Sequence, residues 1–335
     1  MRMINVFDRS VQNGEKAYFS VPVGELCHRG KEQFPVIVAA GKKDGPTLWI
    51  NGTVHGDELN GSYAAWEICR ELEPDLLCGN LVVTPICNVN AFYDRQKVSG
   101  LDYLDMDTVF PGNPEGMLTQ RIAAALYREI KSNATALINF HTMATPYTAN
   151  PYTVRKIVPG VDGTVNQVAE GMQRAFGAKA NCVVDLNSAA NELPGVTNGA
   201  LDITCLRDGI PAFMGEIGQG GRIDDKAVES AKAGIVNVMR YLKMLDGEIK
   251  KEKNQLLITR RKFLYADKGG ITRLLVKPGE IVKGGERLLQ VHYYDDRIES
   301  QHTKEDVYVI GIRENPVVNE GDRIAFVGTE WAPWE

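Results

Sequence analysis

The chain has 335 residues, 44% of them hydrophobic and 24% charged, and its formal net charge is -5 at pH 7. Its length allows a large core and predicts two domains, while the negative charge argues against nucleic acid or an anionic membrane as a partner. No segment approaches about eighteen consecutive apolar residues, and the N-terminal stretch has no apolar core of signal-peptide length, so we expect a cytoplasmic protein.

Short β-rich runs alternate with helical patterns through the first two-thirds of the chain. The predicted strands are TLWINGTV (47–54), NLVVTPICN (80–88), ATALINFHT (134–142) and GIPAFMGEIG (209–218). Apolar residues recur at helical spacing over 60–73, 116–132, 165–177 and 224–245. The alternation predicts an α/β fold with a mixed, largely parallel sheet flanked by helices.

The character of the sequence changes after a charged, glycine-containing segment at 246–255. From there to about residue 330, short β-runs are separated by Gly and Pro turns and show no helical period. We therefore predict an α/β domain over 1–248 and a small all-β domain over 249–335. The stretch GGITRLLVKPGEIVKGGERLLQV resembles the half-barrel repeat of biotinyl and lipoyl carrier domains. Because no hairpin separates two matching halves, we expect no swinging arm.

One of the five histidines lies in NGTVHGDELNG, directly after the first predicted strand. His55 and Glu58 are three residues apart, so on the first turn of a helix their side chains point to one side. His141 ends the strand ATALINFHT, at the edge of an α/β sheet where ligands bind. Two histidines and one carboxylate form a common three-ligand zinc site. For either histidine alone a packing role is the simpler interpretation, but the pair favours one zinc ion per chain.

The segment FMGEIGQGG places Glu216 at the end of the next predicted strand. A carboxylate there can take a proton from metal-activated water and deliver it to a leaving amine. Acids at strand ends also cap turns. The catalytic interpretation therefore depends on Glu216 following the two metal-ligand segments in a matching position of the chain.

Several motifs occur in a fixed order: H-G-D-E at 55–58, N-x-x-A-F at 88–92, an acidic stretch ending in F-P-G at 110–112, F-H-T at 140–142 and G-E-x-G at 215–218. Together they resemble the succinylglutamate desuccinylase/aspartoacylase family, which has a zinc carboxypeptidase-like fold. The resemblance covers about residues 45 to 245. It implies that His55, Glu58 and His141 bind zinc and that Glu216 is the general base and acid.

The stretch LDMDTVFPG (104–112) departs from the family pattern. The resemblance implies that Asp105 orients the first ligand histidine and sharpens its basicity. Family members usually read D-x-N-R here, and the Asn and Arg hold a substrate carboxylate. This chain has Asp107 and Thr108 instead, and neither can replace the bidentate Arg. We expect both residues to contact the substrate, which should present an amine or a neutral group there.

Arg95 and Lys97 are the two candidates for polarising the scissile carbonyl, a role that an Arg in this loop has in the resembling family. An ungapped match selects Lys97, and Arg95 lies two residues earlier. Either cation could stabilise an oxyanion, and either could be a solvated loop charge. Tyr147, in the long loop at 142–156, is a candidate for lining a substrate lid.

These residues predict a zinc-dependent deacylase that cleaves the amide of a small N-acylated amine or amino-acid derivative with metal-activated water. The catalytic domain is expected to span 1–248. The expected binding partner is the small N-acylated substrate, and the sequence leaves open whether the chain forms a homo-oligomer. One alternative is a metallocarboxypeptidase, which needs a carboxylate clamp that the sequence lacks. Another is an inactive binding protein with the same fold. The presence of all three metal ligands and the general base argues against it, because an inactive protein does not need them.

Overall fold

The computed structural model describes residues 3–188, 198–250 and 252–334. Its strands up to residue 219 are β1 (Met3–Val6), β2 (Arg9–Gln12), β3 (Lys16–Glu25), β4 (Lys31–Ala40), β5 (Lys43–Asn51), β6 (Cys78–Thr84), β7 (Ala136–Met143), β8 (Tyr147–Ala149), β9 (Tyr152–Ile157), β10 (Ala180–Asp185) and β11 (Ala212–Gln219). The helices of the described residues are α1 (Asn60–Glu71), α2 (Val89–Asp94), α3 (Leu118–Asn133), α4 (Gly163–Phe176), α5 (Leu201–Arg207) and α6 (Asp225–Tyr241), with 3-10 turns at Pro74–Leu76 and Met106–Thr108.

Most of these strands join one sheet, in the order β10-β9-β11-β7-β5-β6-β4-β3. The centre is parallel, because β7 runs parallel to β5 and β11, and β5 runs parallel to β6. The pairs β3–β4, β4–β6 and β9–β11 are antiparallel. The predicted fold class, a mixed and largely parallel sheet flanked by helices, is confirmed.

Successive side chains of the central strands pack against helices on opposite faces of the sheet. In β5, Trp49 packs in the core that contains α3 and α5, whereas Leu48 and Ile50 pack in the core with α1, α4 and α6. Every residue of β7 is buried, as expected for a strand covered on both faces. Its polar members, Asn139 and His141 among them, therefore need internal partners. None of the helices in the described parts of the chain is both long and apolar enough to cross a membrane.

The chain after residue 255 is built from strands. They are β12 (Leu256–Tyr265), β13 (Gly270–Leu274), β14 (Ile281–Val282), β15 (Arg287–His292), β16 (Ile298–His302), β17 (Val307–Arg313), β18 (Val317–Val318) and β19 (Arg323–Pro333). The strands β12, β19, β17 and β14 extend the large sheet beyond β10, while β16, β15, β13 and β18 form a separate antiparallel sheet. The division into two domains at residue 248, and the likeness to a carrier half-barrel, stay predictions.

The turn after β5 depends on a close approach of two backbone segments at Gly56. A Cβ built on Gly56 would lie 1.9 Å from the carbonyl of Ala91 in α2, far inside van der Waals contact. The Gly56 N–H also donates to the Gln96 carbonyl at 2.8 Å. Only glycine fits here without moving the turn that carries His55.

Gly56→Ala should lower the free energy of unfolding by about 1–3 kcal/mol or more, because the added methyl group has to displace backbone and not a flexible side chain. Gly163→Ala is the matched control. Nothing lies within 4 Å of a Cβ at Gly163, which begins α4, so this change should be neutral or stabilising by up to about 1 kcal/mol. Urea unfolding measures both variants, and equal stabilities would contradict the tight fit of the turn.

Candidate metal centre

His55 and Glu58 lie in the turn between β5 and α1. The helix begins at Asn60, so the two residues precede it and do not occupy its first turn as the sequence suggested. The Glu58 N–H donates to the His55 carbonyl at 3.2 Å, and Asn88 Nδ2 holds the turn by donating to the Val54 carbonyl at 2.9 Å. This closed turn still brings the imidazole and the carboxylate to one side.

His55, Glu58 and His141 converge on one point. Glu58 Oε1 lies 3.0 Å from His55 Nδ1, and Glu58 Oε2 lies 3.0 Å from His141 Nδ1. The Thr142 backbone N–H donates to the same Oε2 at 3.1 Å. One donor atom from each of the three side chains lies within 4.8 Å of the others, and all three residues are buried. Two neighbouring strands, β5 and β7, therefore build the cluster at their C-terminal ends.

The three groups perturb one another's ionisation strongly. Burial by itself lowers the pKa of His55, but the charges of Glu58 and Asp105 outweigh it and raise the pKa to about 10. Burial by itself raises the pKa of Glu58, yet the two histidines reverse this and hold the pKa of the carboxyl well below its usual range. Burial opposes protonation of His141 too, but Glu58 raises its pKa. The cluster thus favours positive charge around one buried carboxylate.

These residues fit a divalent metal ion. Both Nδ1 atoms turn toward the Glu58 carboxylate, so a cation bound among them takes the place of ring protons and meets three donor groups. Two imidazoles and one carboxylate are the donor set of a catalytic zinc site, which keeps a further coordination position open. The chemistry of the donors and their burial therefore match zinc.

The outward ring nitrogens of both histidines also have polar partners. His55 Nε2 lies 3.1 Å from Asp105 Oδ1, so Asp105 is in contact with the histidine that it was expected to orient. His141 Nε2 lies 2.8 Å from Asn139 Nδ2. Contacts of this kind fix the ring and tune a metal ligand. The tautomer of His141 determines which atom of the Asn139 amide faces the ring. If Nε2 carries the hydrogen, it donates to the amide oxygen; if Nε2 is bare, it accepts from the amide nitrogen.

Asn139 belongs to a buried polar ladder across three strands, which the sequence analysis missed. Thr84 Oγ1 donates to Asn51 Oδ1 at 2.7 Å, and Asn51 Nδ2 donates to Asn139 Oδ1 at 3.0 Å. Trp49 Nε1 donates to Thr84 Oγ1 at 3.1 Å. Thr84, Asn51 and Asn139 are paired neighbours on β6, β5 and β7 and are fully buried. The available signal was a polar residue within each apolar strand, Thr84, Asn51 and Asn139, because buried polar groups need partners.

Glu216 lies beside the cluster on β11. It is the register partner of His141 in the adjacent strand, and it lines the same cavity. Its Oε2 is buried and has no hydrogen-bond partner among the described residues. Burial raises the pKa of Glu216 to about 8, with His141 opposing the shift and Glu58 adding to it. A carboxyl in this state can accept and return a proton.

A cavity of about 270 Å³ lies over the cluster, and three residues predicted to act on the substrate line it: Lys97, Asp107 and Tyr147. Lys97 Nζ lies 2.8 Å from Asp105 Oδ2, which links this cation to the acid that contacts His55. Burial raises the pKa of Asp107, and no cation within the described ranges forms an ion pair with it. The cavity therefore presents an acid that His141, His55 and Lys156 stabilise only from a distance, without a direct ion pair among the described residues.

The structure does not bring Arg95 and Thr108 to this cavity. Arg95 ends α2 in the left-handed conformation, with φ of 54°, and lines a neighbouring cavity. Thr108 is exposed, and its hydroxyl donates to the Asp105 carbonyl at 2.7 Å within the 3-10 turn. Local turn geometry directs both side chains elsewhere. Of the two candidates for polarising the carbonyl, Lys97 is the one that lines the cavity.

Three further cations line the cavity and were not assigned from the sequence: Lys156, Arg261 and Arg323. Lys156 is buried on β9 and is ion-paired with the fully buried Asp202. Arg261 and Arg323 come from β12 and β19, so the C-terminal strands form part of the cavity wall. No motif marks these arginines, because they lie far along the chain from the metal cluster.

The family model of the succinylglutamate desuccinylase/aspartoacylase catalytic domain matches residues 44–242. This range includes His55, Glu58, His141 and Glu216. The chain is also similar to the N-alpha-acetyl-L-2,4-diaminobutyric acid deacetylase of Halomonas elongata. The two sequences are 24% identical over 309 residues, which cover 89% of this chain and 86% of the relative.

Solved structures share the fold over nearly the whole chain. The product-bound ectoine utilization protein EutE (DoeB) of Ruegeria pomeroyi is 22% identical with a TM-score of 0.82, and the match covers 96% of this chain and 98% of that one. A succinylglutamate desuccinylase/aspartoacylase of Rhodobacter sphaeroides is 22% identical with a TM-score of 0.82, covering 97% and 98%. These likenesses establish the fold, including that of the C-terminal strands.

The cluster predicts one zinc ion per chain. Protein stripped with a chelator and dialysed against zinc should hold about one equivalent by elemental analysis, because the three donors are already gathered. His141→Ala should retain less than about a tenth of that zinc under the same conditions. His28→Ala alters an exposed histidine outside the cluster and should bind zinc like the wild type. Equal zinc contents in the two variants would contradict the assignment.

Proposed function

Because the chain belongs to the succinylglutamate desuccinylase/aspartoacylase family, we propose that it is a zinc-dependent amidohydrolase that removes the acyl group from a small N-acylated amine. The observation that carries the proposal is the convergence of His55, Glu58 and His141 on one point beside Glu216, whose Oε2 has no hydrogen-bond partner in the described parts of the chain. A metal donor set and a separate acid in one cavity suit hydrolysis by activated water. The products are a carboxylic acid and an amine.

His55, Glu58 and His141 would hold the zinc ion, which would supply Lewis acidity to lower the pKa of water and polarise a carbonyl group. The chain itself contributes the orientation of the ligands. Asp105 and Asn139 hold the outward nitrogens of the two rings, so both Nδ1 atoms stay directed at the Glu58 carboxylate. Loss of either contact should loosen a ring and weaken metal binding.

Glu216 moves the proton in this proposal. Its carboxylate accepts a proton from the attacking water, and the resulting carboxylic acid donates that proton to the departing amine nitrogen. The water thus supplies a hydroxyl group to the acyl carbon and a proton to the amine. Burial raises the pKa of Glu216, which favours its uptake of a proton before the proton passes to the amine.

Lys97 stabilises the negative charge that develops on the acyl oxygen. It lines the cavity, and its ion pair with Asp105 keeps the ammonium group near His55. A donor that is already in place when charge develops costs no reorganisation during the reaction. Lys97 therefore takes the role for which the sequence left two candidates.

Asp107 indicates the kind of amine that the cavity accepts. It lines the cavity, and an ammonium group on the substrate would supply the direct ion pair that the described residues do not. The relative from Halomonas elongata is named for an N-acetylated diamino acid, which has a second amine of this kind. We infer that the substrate carries an acylated amine and a second, cationic amine. A cavity of about 270 Å³ suits a molecule of that size.

Glu216→Gln should lower kcat by about 10²- to 10⁴-fold, because the amide that replaces the carboxyl cannot carry the proton. Turnover is measured on a panel of N-acetyl, N-succinyl and N-formyl amines, alongside zinc content and melting temperature, which should not change. Glu115→Gln, an exposed carboxyl outside the cavity, is the control. Wild-type turnover by Glu216→Gln would remove this residue from the mechanism.

Lys97→Met should lower kcat/KM by about 10²- to 10³-fold, because the developing oxyanion loses a positioned cation. Arg95→Met removes a cation from the neighbouring cavity and should change kcat/KM little. Steady-state kinetics on the best substrate of the panel compares the two variants. A larger loss for Arg95→Met would reverse the assignment.

A further inference from the structure

The cations that line the cavity are of two kinds. Lys97 and Lys156 are each ion-paired with an aspartate, so their charges are already balanced. Arg261 and Arg323 pair with no carboxylate among the residues that the structure describes. Arg323 is exposed and solvated, but Arg261 is buried, so its charge indicates that the cavity can receive an anion.

Arg261 shows the clearest deficit of partners. It is only 4% exposed, and the hydrogen bond that the described residues give it is a long one, 3.4 Å from Nη1 to the Val183 carbonyl. A guanidinium carries five N–H donors and stays charged at any physiological pH. Burying such a charge without a counter-charge is unfavourable. The cavity that Arg261 lines is where that counter-charge can bind.

A β-bulge directs Arg261 inward. The pairing of β12 with β19 shifts register between Ile258 and Arg260, and again between Arg260 and Arg261. Regular alternation from the buried Ile258 would place Arg260 in the interior. Instead, Thr259 and Arg260 are both exposed, and Arg261 is buried. Bulges often redirect a side chain next to an active site. This bulge turns the Arg261 side chain toward the interior.

Arg323 lies on β19, the strand that pairs with β12. Its guanidinium carbon is 4.4 Å from the centre of the Phe263 ring, and this stacking fixes the plane of the group. The Tyr147 hydroxyl donates to the Arg323 carbonyl at 3.3 Å. Tyr147 begins β8, so the prediction of a long loop at 142–156 is wrong, and this bond ties β8 to β19. The exposed Arg323 and the buried Arg261 therefore present two guanidinium groups to one cavity.

We propose that Arg261, together with Arg323 on the paired strand β19, binds a carboxylate of the substrate. This inference rests on the proposed deacylase function and names its substrate class. The ammonium group pairs with Asp107, the amide lies over the metal cluster, and the carboxylate pairs with the arginines. The substrate is then an N-acylated diamino acid and not an N-acylated diamine. Two parallel N–H donors of a guanidinium match the two oxygens of a carboxylate.

The proposal also accounts for the stretch at 104–112, which lacks the carboxylate-binding Asn and Arg of the family pattern. The C-terminal strands supply guanidinium groups from another wall of the cavity. A carboxylate bound there meets positive charge and is kept apart from the acid at Asp107. The β-rich segment is on this account part of the substrate site.

The test uses two ligands that differ by one group. Nα-acetyl-2,4-diaminobutyrate carries a carboxylate, and N-acetyl-1,3-diaminopropane is the same molecule without it. Calorimetric titrations use full-length zinc-loaded protein with Glu216→Gln, which prevents turnover, and kcat and KM are measured with Glu216 intact. Arg261→Met and Arg261→Lys are compared with Lys262→Met, the matched control. Lys262 is the next residue on β12, is exposed and pairs with Glu305.

Arg261→Met should weaken binding of the carboxylate ligand, and raise its KM, by about 10- to 100-fold. Binding and turnover of the carboxylate-free ligand should change by less than about threefold, because that ligand does not use the guanidinium. Arg261→Lys should recover part of the affinity, because lysine keeps the positive charge but cannot form two parallel hydrogen bonds to the carboxylate. Lys262→Met should match the wild type with both ligands.

Equal losses for the two ligands, or no loss for either, would overturn the assignment of Arg261. Melting temperatures separate a folding defect from a binding defect. If Arg261→Met does not fold, Arg261→Lys and Arg323→Met decide, because each should reduce the preference for the carboxylate ligand. If the wild type hydrolyses neither ligand, the deacylase proposal fails for N-acylated diamines and diamino acids. The carboxylate site is then tested by the binding titrations alone. Binding of neither ligand would overturn that site as well.

Discussion

The whole site depends on one buried carboxylate shared by two imidazoles. Glu58 is 4% exposed and lies 3.0 Å from the Nδ1 atoms of both His55 and His141. A buried carboxylate is stable only where opposite charge and hydrogen bonds compensate it, and here the two rings and the Thr142 N–H do so. A divalent cation supplies the same compensation. The contacts that stabilise this corner of the fold are thus the contacts that prepare a metal centre.

The sheet and the backbone hold those rings in position. Behind His141, Thr84, Asn51 and Asn139 are hydrogen-bonded to one another across three adjacent strands, and Asn139 contacts the outward nitrogen of the ring. Two residues before Glu58, the backbone of Gly56 packs so closely against that of Ala91 that the conformation of the turn is restricted. Two kinds of constraint, polar pairing in the strands and steric fit in the turn, therefore meet at the cluster. Precise ligand orientation is what a catalytic metal requires.

The sequence predicts the fold class and the convergence of His55, Glu58 and His141, because these follow from local patterns: helical and strand periods, and short motifs at the ends of parallel strands. Side chains governed by local backbone irregularity could not be predicted. Turn hydrogen bonds direct Thr108 away from the cavity, and Arg95 ends a helix in the left-handed conformation. Arg261 is buried only because a bulge breaks the alternation that would have selected Arg260. Long-range pairing, which no motif records, also carries the C-terminal strands into the large sheet and onto the cavity.

Anomalous diffraction at the zinc absorption edge, from crystals of the zinc-loaded chain, tests whether His55, Glu58 and His141 bind the metal. We expect a single anomalous peak per chain, bounded by the Nδ1 atoms of His55 and His141 and the carboxylate of Glu58. A peak held by other side chains, or crystals grown in zinc that show no peak at these three residues, would contradict this expectation.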